Sequence, residues 1–123
     1  MKIRIQGNSI RYRLTRSEVQ KLGQSGYIEE RTEFNGKSFI YVVRTKPDIT
    51  TLLAEFKHDT ITLFLPASEQ NLWPQSERIG YEHKMVLNNG NTLSLLLEKD
   101  FVCLDERIED QSDNYPNPTA AKK

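Results

Sequence analysis

The chain has 123 residues, with 37% apolar and 28% charged side chains, which excludes a disordered polypeptide and suits one domain with its own core. Seventeen basic residues offset seventeen acidic ones, so steering by net charge is excluded and only local patches can carry electrostatic recognition. The longest apolar run, around Leu93 to Leu97, is far too short to cross a bilayer as a helix, so no membrane partner is expected.

Residues 2–6 alternate strictly, with Ile3 and Ile5 on one side and Lys2, Arg4 and Gln6 on the other. Gly7-Asn8 follows, and residues 9–14 alternate again, placing Ile10, Tyr12 and Leu14 opposite Arg11 and Arg13. Period two on both sides of a Gly-Asn pair predicts a β-hairpin. A short helix comes next. Thr15 is its N-cap, Glu18 completes a capping box, and Leu14 with Val19 forms a hydrophobic staple. Val19 and Leu22 mark its buried side, and Gly23 or Gly26 ends it.

The rest reads as a β-meander. Residues 27–34 and 38–44 flank Asn35-Gly36, the strongest hairpin signal in the chain. Residues 52–58 and 60–66 pair around His58-Asp59, and Pro66 closes the second strand. A polar loop over 68–80 contains Trp73, with a helical turn expected before Pro74. Residues 81–87 and 92–104 form a fourth hairpin across Asn88–Asn91. The expected fold is α+β: a mostly antiparallel curved sheet or partial barrel of about eight strands, sequential neighbours adjacent, with one short helix after the first hairpin. No internal repeat is visible. Residues 1–118 read as a single globular domain and 119–123 as a flexible end.

Charge is unevenly distributed. Residues 1–24 carry six bases against Glu18, and residues 98–123 carry seven acids against four bases. Arg4, Arg11 and Arg13 therefore form a candidate anion or nucleic-acid contact. The acidic stretch carries five acids from Asp105 to Asp113 and is expected to fold back onto these arginines. A divalent metal is the alternative use of that stretch, with Cys103, Asp105, Asp110 and Asp113 joined by His83 or His58 as ligands. The spacing fits no established metal motif, and the alternation around Phe101 and Cys103 reads instead as a cysteine packed on a strand. No cofactor is predicted. Glu29 and Glu33 share a strand face, an arrangement open to acid–base work but equally that of a solvated face. With no nucleophile or nucleotide-binding motif, the chain is more readily a binding domain than an enzyme. Trp73 reads as a packing anchor or, if exposed, as a partner surface. One cysteine and an N-terminus without a signal-peptide core place the protein in the cytoplasm.

Two resemblances add to this. The stretch "IRIQGNSIRYRLTRSEVQKLG" resembles the opening of the AbrB/MazE swapped-hairpin family, which implies an intertwined homodimer contacting nucleic acid through Arg4, Arg11 and Arg13. The family's proline is replaced here by Thr15, and its Gly-Asp pair by Ser25-Gly26-Tyr27. Over its whole length, through "MKIRIQGNSIRYRLT", "EERTEF", "EKDFVCLD" and "EDQSDNYPNP", the chain resembles a small uncharacterised bacterial protein family of about this size. That likeness implies a free-standing domain and brings no activity with it.

Overall fold

A computed structural model describes residues 1–101 and 112–116. Strands β1 (Lys2–Gln6) and β2 (Ser9–Leu14) lead into helix α1 (Arg16–Ser25). Strands β3 (Tyr27–Phe34), β4 (Lys37–Lys46), β5 (Leu53–Lys57) and β6 (Thr60–Pro66) follow. Two single-turn 3-10 helices, Ala67–Glu69 and Trp73–Gln75, then precede β7 (Gly80–Val86) and β8 (Thr92–Lys99). Each hairpin expected from period-two alternation forms as an antiparallel pair.

The strands divide into two four-stranded sheets, ordered β1-β2-β8-β7 and β3-β4-β6-β5, neither closed into a barrel. The expected meander is corrected at two points: β2 pairs with β8, and β4 with β6, both in parallel. Each sheet is thus two hairpins joined through a central parallel pair, and the second sheet is inserted in the chain between the halves of the first. The sequence shows no repeat, yet the two sheets share one topology. The edge of β2 away from β1 is occupied by the chain's own β8.

The sheets face one another across a common core. Tyr12, Leu14, Leu95 and Leu97 from the first sheet meet Ile28, Val43, Ile61, Leu63 and Leu65 from the second. The Tyr12 hydroxyl donates 2.9 Å to the Ile61 carbonyl, a buried bond from one sheet to the other. α1 closes the end of the sandwich with Val19 and Leu22. Its start is as read from sequence: Thr15 Oγ1 accepts from Glu18 N, and Glu18 Oε1 accepts from Thr15 N at 2.9 Å. Gly26, at φ 72°, ends the helix by donating 2.8 Å to the Leu22 carbonyl. Burial is complete near the helix and falls toward the hairpin turns, where Ile5, Phe34 and Phe56 are more than half exposed.

Trp73 is 1% exposed and so does not present a partner surface. Its indole packs edge-on against Tyr81 at 5.3 Å, and its N–H donates 2.9 Å to the Arg78 carbonyl. The 3-10 turn that carries it lies against α1, so the polar loop supplies a core plug rather than an exposed aromatic.

Candidate functional site

Alternation along β1 and β2 fixes which side chains leave the sandwich. Ile3, Ile5, Ile10 and Tyr12 point inward, so Lys2, Arg4, Arg11 and Arg13 must stand on the outer face. The hairpin register then sets them in two rows: Lys2 lies opposite Arg13, and Arg4 opposite Arg11. Like charges directly opposite one another destabilise a sheet. Two such pairs in adjacent rows are a local conflict that folding alone does not reward.

Among the described residues, the three arginines are only partly neutralised. Glu98, one row across on β8, approaches Arg11 Nε at 3.8 Å and Arg13 Nε at 3.9 Å, too far for a hydrogen bond. Buried Asp100 takes Lys2 Nζ at 3.2 Å. Arg4 bonds only the Gln6 amide oxygen, at 3.2 Å, and no carboxylate pairs with it among the described residues. Outward from the core, this face carries Lys2, Arg4, Arg11, Arg13 and Lys84 against Glu82 and Glu98. A shallow depression of about 200 Å³ lies between Arg4 and Arg11, floored by Leu96 and rimmed by Gln6 and Ser9. The sequence singled out the three arginines, and the structure brings them together. Leu96 and Glu98 were not singled out. Only the parallel β2–β8 pairing, joining residues more than eighty positions apart, sets them beside Arg11 and Arg13.

The acidic stretch is seated elsewhere where it is described. Asp113 lies at the start of α1, where its carboxylate accepts from the Ser17 hydroxyl at 2.6 Å and its carbonyl from Arg16 N at 3.1 Å. Hydrogen bonds from Ser17 and Thr15 hold this exposed carboxyl below its ordinary value of 3.8. Tyr115 packs against Phe101 and lies near Arg16 and Lys99, while its N–H donates 2.7 Å to the Asp100 carbonyl. Asp113 is thus tied to the first residues of α1, Arg16 and Ser17, instead of covering Arg4, Arg11 and Arg13. Cys103, Asp105 and Asp110 lie outside the described residues. His83 sits on the inner side of β7 opposite Leu95, and His58 in the β5–β6 turn at φ 52°. No group of three or more His, Cys, Asp or Glu side chains suited to a metal exists among the described residues.

The other perturbed groups are structural. Lys99, 5% exposed, has its pKa lowered by burial and gives its ammonium to the Ser76 carbonyl at 2.7 Å beside the Trp73 and Tyr115 rings. Tyr81 is raised by burial and by donating to Glu69 at 2.7 Å. Glu29 is lowered by its bonds to the Tyr27 hydroxyl and to Arg31, so it is engaged as an acceptor and ill placed as a general base.

No curated protein and no solved structure matches the chain at a significant level. The model of a family of unknown function, DUF7009, matches residues 1–119. That span covers both sheets, the helix and the outer arginine array together, and the chain belongs to this family of unknown function.

Proposed function

We propose that the protein is a non-catalytic binding domain that takes an extended anionic ligand on the outer face of the β1-β2-β8-β7 sheet. One observation carries this reading: Arg4 and Arg11 stand directly opposite one another on a solvent face, Arg13 lies in the adjacent row, and among the described residues no carboxylate pairs with Arg4. A ligand bearing negative charge at regular intervals would offset the repulsion within this arginine group. Arginine suits this task because its planar fork donates in pairs to carboxylate or phosphate oxygens. The single cysteine fits a reducing compartment, and we place the domain in the cytoplasm.

Heparin-affinity chromatography tests the reading. The wild type is expected to bind at low salt and to elute in a salt gradient, because cation–anion contacts weaken steeply with ionic strength. The Arg4→Ala/Arg11→Ala/Arg13→Ala variant should pass through unretained while melting at or above the wild-type temperature. Identical elution of the two folded proteins would sink the proposal.

A further inference from the structure

We infer that the anionic ligand is a single nucleic-acid strand, held by its phosphates along β1 and β2 with its bases unstacked; this inference rests on the anion-binding reading above. Two features of the face point there. The first is spacing. Successive outward residues on a strand are about 6.6 Å apart, so the Lys2–Arg13 and Arg4–Arg11 rows are separated by roughly the distance between neighbouring phosphates of a nucleic-acid strand. The phosphates of inorganic polyphosphate lie much closer together.

The second is width. The positive strip spans two strands, about 10 Å, and is bordered on the β8 and β7 side by Glu98 and Glu82. One phosphate chain fits on it, and the second backbone of a duplex would meet the carboxylates. No aromatic side chain stands on the outer face of these four strands, so the bases would have no stacking platform and the phosphates alone would carry the contact. An acidic peptide is a poorer match. Lying across the outer face, such a peptide would carry its charge on long, rotamer-rich side chains. A nucleic-acid strand instead carries its charge on the backbone itself.

The test is fluorescence anisotropy with a labelled oligothymidine of roughly ten nucleotides across a salt series. With Arg4, Arg11 and Arg13 as the phosphate contacts, log K is expected to fall with log salt at a slope near −2, about 0.7 for each contact. Each single arginine-to-alanine change should flatten the slope by about 0.7. An abasic strand of equal length should bind within about threefold of the oligothymidine, since a stacked base is worth more than about fivefold. Unlabelled polyphosphate, polyglutamate and duplex DNA should each compete more weakly than the single strand at matched charge.

Equal or stronger competition by any of the three would overturn the assignment, as would a large loss on removing the bases. If heparin retention depends on the arginines but no oligothymidine binds, the nucleic-acid inference falls and the anion-binding face stands. If heparin retention is also arginine-independent, both fall.

Discussion

Tyr12 shows at the residue scale how a sequence position acquires a role it does not announce. In the sequence it is one apolar member of an alternating strand. In the fold it is fully buried, and its hydroxyl bonds the opposite sheet at Ile61. Burial raises its pKa above the ordinary 10.0, and Tyr81 is raised in the same direction. The linkage sign follows. Above pH 10 the unfolded chain releases these phenolic protons while the folded chain keeps them, so stability falls as pH rises. Thermal melts from pH 8 to 11 should show a progressive loss in the wild type and a shallower one in Tyr12→Phe. At pH 8 the substitution should cost about 0.5–1.5 kcal/mol for the lost bond. Parallel pH profiles for the two proteins would show that Tyr12 does not titrate with unfolding. The arginines are also residues whose type was legible early, because polar side chains between inward isoleucines can only face solvent. Trp73 was legible as an anchor but not as a buried one, since nothing local says that the loop between the sheets folds into the core.

At the scale of elements, the boundaries follow local chemistry closely. The Thr15–Glu18 capping box, the Leu14 and Val19 pair and the left-handed Gly26 delimit α1; the first two were visible as letters, and the third as a choice between Gly23 and Gly26. Thr15→Ala should lower stability by about 0.5–2 kcal/mol in urea titration, through loss of the side-chain acceptor at the helix start. Gly80 is a different case. It begins β7, and a Cβ there would lie 2.1 Å from the Leu97 carbonyl oxygen and 2.9 Å from Glu98 Cα, both backbone atoms of β8. Gly80→Ala therefore has no flexible side chain to push aside. Its expected cost is at least about 2 kcal/mol, and amide exchange should rise across β7. A variant with unchanged exchange in β7 would mean that the edge strand shifts at little cost. The sequence gives no sign of this close approach, because the neighbouring backbone is positioned by sheet twist and register and not by the residues around Gly80.

At the scale of the whole molecule, the insertion of one sheet between the halves of the other makes the sandwich a single interdependent unit. The inner face of β3-β4-β6-β5 is covered by β2, β8 and α1, and the β2–β8 pair joins the first strands of the chain to the last. Ile28, Val43, Leu63 and Leu65 of the second sheet are buried in the core shared with the first. Unfolding should therefore be one transition: Trp73 fluorescence and far-ultraviolet circular dichroism should give the same midpoint in urea. Separate midpoints would show that one sheet persists without the other. Because the central pairing is so distant in sequence, refolding is expected in the millisecond-to-second range typical of β-sandwiches.

The sequence by itself determined the eight strands, the helix with its cap, and the outward-facing arginines. Period-two alternation, turn residues and capping act within a few positions of one another. The tertiary structure alone decided that β2 and β4 take parallel partners, that Trp73 is interior, that Asp113 is tied to the start of α1, and that Glu98 and Leu96 border the arginine rows. Each of those outcomes depends on which apolar surfaces cover one another across long separations, a choice that apolar burial makes without directional preference and that no local pattern of residues encodes.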